Sequence, residues 1–391
     1  MKPLNWGTWP RYSPACRRDV DRLLRAGGSL TAYKSSPAFP SGPRKGSWAW
    51  RLERRAKRMF GIRHVIAVNS GTMALHAALW ALDLPPGSSV ATTPYTFSAT
   101  AAAIIHAGHR PVFGDVHPVT YCLDPSLKVP LPLGKEAVLP VDLFGRIAHP
   151  GQYAWAGPVI EDACQAVGAS VAGEFAGSFG AAGAYSFNGM KNVGAGEAGA
   201  VVTDDDDLAA RMRRFISHSE NWGGADIGLN GRLNELTACV AYHGLKALSA
   251  NNAKRRALAM ELWRQLKDET RVRILSPKDI ERHALYVFPF TVADNVNRAA
   301  FVRRLKKMGI EAGEGYLRPH LGHYPAFKDA VRGPLPVVEE LSEKSLVLLY
   351  QVRPPATIAH MRYVALAIRA ALDGKTARRR AKLGRVEATA F

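Results

Sequence analysis

Between residues 64 and 203, short apolar runs alternate with helical patterns, and this alternation limits the chain to few folds. His64–Val68, Ser89–Thr93, Pro111–Val116, Ala137–Val141, Pro158–Glu161, Ala182–Phe187 and Gly199–Thr203 are candidate strands. Thr72–Leu82 places Leu75, Ala78, Leu79 and Leu82 on one helical face, and Ser98–His106 is helical up to a stop at Gly108. Strands that alternate with helices pair mostly in parallel, and the helices cover both faces of the sheet. The expected fold is therefore α/β, with a mostly parallel seven-stranded sheet in a large domain.

The pattern changes after residue 250. Helix Ala257–Leu266, strand Leu285–Val292, helix Arg298–Met308 and two more helices near Val338–Leu348 and Ile358–Leu372 predict a smaller C-terminal α/β domain over 251–373. The large domain spans 46–250. Residues 1–45, rich in Pro, Gly and Ser with one helical candidate at Arg17–Arg25, form an arm expected to pack on the body or on a partner subunit. Residues 374–391 are expected from their composition to be a basic, disordered tail. The length of 391 residues suits such a division at roughly 150 residues per domain.

No apolar run approaches the ~18 residues of a membrane span, and the N-terminus lacks the apolar centre of a signal peptide. A soluble, cytoplasmic protein with no membrane partner is expected. The four cysteines, Cys16, Cys122, Cys164 and Cys239, lie far apart and suggest neither a disulfide framework nor a zinc site. The acidic run Asp204–Asp207 reads as a helix cap, so no metal is expected there. The net charge of +19 can attract nucleic acid or phosphorylated small molecules. Its spread along the whole chain favours a basic surface without a dedicated partner. Arg51, Arg54, Arg55 and Arg58 do share one face of a helix predicted over Ser47–Phe60.

The chemistry concentrates in Val159–Asp204. An apolar run ends in Glu161 and Asp162, and Ser186 and Lys191 follow in a glycine-rich loop. An amine, a carboxylate and a hydroxyl on loops between buried strands suit pyridoxal phosphate (PLP). The amine forms the imine, the carboxylate keeps the pyridine nitrogen protonated, and the hydroxyl serves the phosphate. Asp162 would emerge at a strand's C-terminal end, where α/β sheets bind ligands, while Glu161 points the other way. Asn69-Ser70-Gly71-Thr72-Met73 joins a strand to a helix, and a helix N-terminus offers free N–H groups to a phosphate.

The segments Ile160-Glu161-Asp162-Ala163-Cys164-Gln165-Ala166, Ser186-Phe187, Lys191-Asn192 and Gly196-Glu197, together with Ser70-Gly71-Thr72-Met73-Ala74-Leu75, resemble the DegT/DnrJ/EryC1/StrS family of PLP-dependent aminotransferases. The resemblance runs from about Gly46 to Leu372 and implies a fold-type I enzyme. It implies Lys191 as the catalytic lysine. Gly71, Thr72, Met73, Phe97, Asp162, Gln165, Ser186, Lys191 and Asn230 are implied as the cofactor-binding set. Phe97 would stack on the ring, and Gln165 would lie near its phenolic oxygen. Asn230, in Gly228–Glu235, would reach the phosphate of a neighbouring subunit and so implies a homodimer. Two departures from the family pattern concern the substrate. Asp142-Leu143-Phe144-Gly145 stands where the family has HLYG, and Tyr316–Phe327 is rearranged, so that Tyr316, His320 and Tyr324 read either as substrate-facing or as packing residues.

The implied reaction moves an amino group from an amino acid, glutamate or glutamine, to a ketone. A nucleotide-linked keto sugar is the first expectation for the acceptor. A cyclitol, a nucleotide or a modified base is an alternative, as is a non-catalytic, nucleic-acid-binding regulator.

Overall fold

The computed structural model describes residues 6–33, 42–127, 136–148, 151–153, 157–219 and 226–375. Most of the expected tail, 376–391, lies outside the described residues.

Two helices precede the sheet, α1 (Pro14–Arg25) and α2 (Trp48–Phe60). Ser47 caps α2 through the Trp50 N–H, and Gly61 ends it at φ 70°. Then come β1 (His64–Val68), α3 (Gly71–Ala81), β2 (Ser89–Thr92), α4 (Ser98–His106), β3 (Arg110–Phe113), β4 (Glu136–Val138) and β5 (Ile160–Asp162). A small hairpin, β6 (Ser170–Val171) and β7 (Glu174–Phe175), leads to β8 (Ala182–Ser186) and β9 (Gly199–Thr203).

The seven long-range strands fall in two hydrogen-bonded groups, β3-β2-β4 and β5-β8-β9-β1. The groups meet through parallel bridges from Val138 to Val159 and from Val141 to Asp162. Pairing is parallel from β3 to β8. β9 reverses and runs antiparallel to both β8 and β1. Its direction follows from its connection: a short return, not a crossover helix, joins β8 to β9. Paired backbone bonds (Phe187 N to Ala198 O, Gly189 N to Gly196 O, each 2.8 Å) close that return, and Lys191 sits within it.

One core lies between the sheet and α2 with the first half of α6 (Glu235–Leu266), and another lies under α3, α4 and α5 (Asp206–Phe215). α6 has 32 residues. Its Leu245 and Leu248 belong to the large core, while Leu258 and Leu262 belong to the core of the C-terminal part. Residue 250, the expected boundary, thus falls inside a continuous helix. The acidic run caps α5, with Asp205 accepting the Leu208 N–H at 2.9 Å, and Asp204 accepts the Arg63 N–H at 2.6 Å.

The C-terminal part adds β10 (Val272–Ile274), α7 (Pro277–Arg282), β11 (Phe288–Val292), α8 (Arg298–Lys307), β12 (Ala312–Glu314), α9 (Pro336–Glu340), β13 (Leu346–Leu349) and α10 (Ile358–Leu372). Its antiparallel sheet has the order β10-β11-β13-β12. The helix expected near Val338–Leu348 is corrected here: α9 ends at Glu340, a wide turn follows, and Leu346–Leu349 is a central strand. All four of its residues are buried, so the run has no alternation to mark it as a strand.

The arm packs on its own body. Asp19 and His243 pair at 2.9 Å and hold α1 on α6, and the Trp6 indole donates to Gly309 O at 2.9 Å.

β5 carries two carboxylates to opposite faces. Glu161 accepts the N–H groups of Gly177 (2.8 Å), Phe179 (2.6 Å) and Gly180 (2.8 Å). Glu161→Ala leaves buried donors without an acceptor and should lower unfolding stability by about 3 kcal/mol, read from the urea midpoint. An unchanged midpoint would remove this bracing role.

Candidate active site

The parallel pairing of β5 with β8 brings the C-terminal ends of both strands to one edge of the sheet. Asp162 ends the first and Ser186 the second. On the face opposite Glu161, Asp162 Oδ2 accepts the Thr100 hydroxyl at 2.7 Å, and Oδ1 accepts the Cys164 N–H at 3.2 Å. Thr100 in turn meets the Thr96 hydroxyl at 2.8 Å. Asp162 is 5% exposed, so the network fixes one rotamer of a nearly buried acid. Thr96 precedes the N-cap of α4, and Thr100 lies in its first turn. The sequence reading missed this role because a threonine in a helix carries no signal of what it faces.

A cradle that would suit a phosphate forms where α3 meets β8. A Cβ built on Gly71 would stand 2.9 Å from Ser186 Cβ, 3.3 Å from Ser186 Oγ and 3.0 Å from Cys164 Sγ. Only glycine lets the start of α3 approach Ser186 so closely. Ser70 caps the helix by accepting the Met73 N–H at 3.1 Å. The Met73 N–H is thereby occupied, while those of Gly71 and Thr72 have no intrahelical acceptor. Two N–H groups, the exposed Thr72 hydroxyl and the Ser186 hydroxyl fit a phosphate.

Lys191 is half-buried, and its N–H donates to Asn188 O at 2.8 Å. The next residue, Asn192, is buried and donates to Asn252 Oδ1 and Ala284 O, both at 2.8 Å. Burial and the Asp162 charge push the Cys164 thiol well above its usual pKa, while Lys191 draws it back. That thiol therefore lies in the field of both the amine and the acid. Phe97 is 58% exposed, leaving its ring face open.

Gln165 is placed differently from a free donor to a ligand. Its Oε1 accepts the Phe144 N–H at 3.0 Å, and its Nε2 donates to the Tyr316 hydroxyl at 3.1 Å. Burial raises the Tyr316 hydroxyl far above its ordinary range, so it stays protonated. Of the other two uncertain residues, His320 pairs with Glu339 at 2.9 Å, and Tyr324 stacks near Phe327. His323 also reaches Glu339, at 2.9 Å. This trio has metal-ligand chemistry, but His320 Nδ1 accepts the Gly322 N–H at 3.1 Å. The His320 proton then sits on Nε2 and goes to Glu339, which makes the trio a hydrogen-bonded group. A cleft of about 600 Å³ beside Arg318 contains none of the expected site residues, and Arg318 is already paired with Glu314 and Glu343.

Asn230 is exposed, and its segment lies along the start of α3. Its carbonyl accepts Asn69 Nδ2 at 3.1 Å, and Asn69 N donates to Gly231 O at 2.9 Å.

An amine in a strand return, an acid at a strand end and a glycine-built phosphate cradle on one α/β sheet are the parts of a fold-type I, PLP-dependent aminotransferase. The chain belongs to the DegT/DnrJ/EryC1/StrS aminotransferase family, whose pattern matches residues 41–369. It is 32% identical to a pleiotropic regulatory protein of Geobacillus stearothermophilus, over 78% of this chain and 84% of that one. It is 31% identical to the 3-oxo-glucose-6-phosphate:glutamate aminotransferase of Bacillus subtilis, over 87% and 79%. Among solved structures, DesI with its TDP-sugar product superposes at a TM-score of 0.81, with 26% identity over 96% of this chain and 94% of that one. NtdA of Bacillus subtilis with bound PMP superposes at 0.76, with 26% identity over 92% and 83%.

Gly71→Ala forces Ser186 away from the cradle. PLP affinity, read by titration of the visible band, should fall about tenfold, with the fold retained. Unchanged affinity would place the phosphate elsewhere.

Proposed function

We propose that this aminotransferase takes nitrogen from glutamate and delivers it to the keto group of a nucleotide-linked sugar. The observation that carries the reading is Asp162, held by Thr100 and the Cys164 N–H next to the Gly71–Ser186 cradle, with Lys191 in the return that follows Ser186. Support for the donor is the glutamate named for the Bacillus subtilis relative, and support for the acceptor is the TDP-sugar product named for DesI.

PLP, when bound, supplies a pyridinium ring that accepts electrons from the substrate carbon. Asp162, oriented by Thr100 and the Cys164 N–H, keeps the proton on the ring nitrogen. Gly71 and Thr72 N–H groups and the Thr72 and Ser186 hydroxyls bind the phosphate. Met73 would serve through the capped turn, Phe97 would cover the ring, and Gln165, which holds Tyr316, would lie near it. Lys191 Nζ takes the proton from the substrate carbon and returns it on the product side.

The active unit in this reading is a homodimer. Asn230 is exposed at the edge of the cradle, and its neighbours Ile227 (88% exposed) and Leu229 (41%) are apolar. Met190 (45%), beside Lys191, is likewise exposed. A second copy would cover them and bring its own Asn230 to the phosphate.

Borohydride reduction and peptide mapping should place PLP on Lys191, and Lys191→Ala should lose at least about a thousandfold in turnover. Glutamate should bleach the visible band, and a nucleotide-linked keto sugar should restore it. Equal restoration by a keto sugar phosphate would reassign the acceptor. In co-expressed mixtures of Lys191→Ala and Asn230→Ala, random pairing should restore roughly a quarter of wild-type activity. No gain over the parents would confine Asn230 to its own subunit.

A further inference from the structure

Lys191 is held at both ends by residues outside the cradle. At the backbone, the Trp9 indole N–H donates to Lys191 O at 3.3 Å. At the amine, Nζ lies 4.2 Å from the centroid of the Tyr286 ring. A third residue joins these two. Arg255 is fully buried on α6, and its guanidinium lies 5.0 Å from the centroid of the Trp9 ring. Its Nη1 donates to Leu285 O at 2.9 Å and to Tyr286 O at 3.0 Å. The contacts close a loop from the Lys191 carbonyl through Trp9, Arg255 and Tyr286 back to the Lys191 amine.

The cost of the arrangement argues for a purpose. Its contacts are two carbonyls and an indole ring, and the Nε and Nη2 of Arg255 have no hydrogen-bond partner among the described residues. Burial, aided by the Arg353 charge, lowers its pKa to about 9. An apolar side chain could fill the same space without a desolvated charge. What an apolar chain could not do is hold two carbonyls and an indole at once. The carbonyls position the segment that carries the Tyr286 ring, and the Tyr286 N–H donating to Phe144 O at 2.9 Å fixes its other side. An aromatic face attracts an ammonium and not a neutral amine. The ring thus gives the free, protonated lysine one resting place.

We propose that Trp9, Arg255 and Tyr286 are positioning residues for Lys191, with Tyr286 setting the place of the free ammonium and Trp9 setting the backbone that carries it. The arrangement uses three remote parts of the chain: the arm, α6 and the approach to β11. The arm is therefore part of the site, although it contributes nothing to the cradle.

The proposal rests on Lys191 as the reactive amine, and the test separates the two claims. Competitive acetylation of the protein freed of PLP, near neutral pH, reads the amine directly. Tyr286→Leu should label Lys191 about threefold faster, relative to the other lysines. Tyr286→Phe, which keeps the ring, should label at the wild-type rate. Trp9→Phe keeps a ring against Arg255 but loses the N–H, so it should leave labelling unchanged while weakening PLP retention about fivefold. Wild-type labelling of Lys191 in Tyr286→Leu would overturn the proposal. So would equal acceleration in Tyr286→Phe, or faster labelling of all lysines with a lower melting midpoint, which would mean packing alone. If Tyr286→Leu does not fold, wild-type PLP retention by Trp9→Phe would overturn the backbone arm, and its loss without a drop in melting midpoint would support it. Failure of the wild type to take PLP on Lys191 would sink the function reading, while the labelling comparison still decides the bracket.

Discussion

The site depends on one strand, Ile160–Asp162, that carries two adjacent buried acids. Strand geometry sends Glu161 and Asp162 to opposite faces. Three backbone N–H groups satisfy Glu161, and one hydroxyl and one N–H satisfy Asp162. The asymmetry matters. Glu161 is fully committed to bracing the 177–180 turn, whereas Asp162 keeps capacity to accept a further donor. A pyridinium N–H is such a donor. One β5 residue thus anchors the sheet, and its neighbour is the acid assigned to the cofactor in the proposed function.

The reversal at β9 matters almost as much. A crossover helix after β8 would have carried the chain away from the strand ends. The short return keeps Lys191 at the edge where Asp162 emerges. The paired backbone bonds and the anchoring of Asn192 to Asn252 and Ala284 limit its motion. The amine is then free only along its own side chain, and the Tyr286 ring takes up that freedom.

The large and C-terminal parts share a mixed apolar core and several hydrogen bonds, some of them next to the site. Phe144, at φ 61°, and Gly145, at φ 97°, turn their carbonyls to the N–H groups of Tyr286 and Ala284. A Cβ on Gly145 would stand 2.5 Å from Leu285 N, so the approach requires glycine there. Gln165 joins Phe144 to Tyr316, and α6 passes through both cores. A shift of the C-terminal part would therefore move Tyr286 and Tyr316 relative to Lys191 and Asp162.

The sequence alone determined the alternation of strands and helices, the capping of a helix by the 204–207 acidic run, and the ordered motifs that mark the family. These rest on local rules: period, capping chemistry and the order of motifs. It could not show that Leu346–Leu349 is a strand, because a run buried on both faces has no period. Nor could it show that α6 crosses residue 250, because a continuous helix does not mark where one core ends and another begins. Only the tertiary structure decided which donors hold Asp162, and that Gln165 spends both ends of its amide on Phe144 and Tyr316. The joining of Trp9, Arg255 and Tyr286 around Lys191 was also beyond the sequence. Such pairings join residues as much as 246 positions apart (Trp9 and Arg255), and their energies depend on burial and angle. Neither quantity exists until the chain has folded.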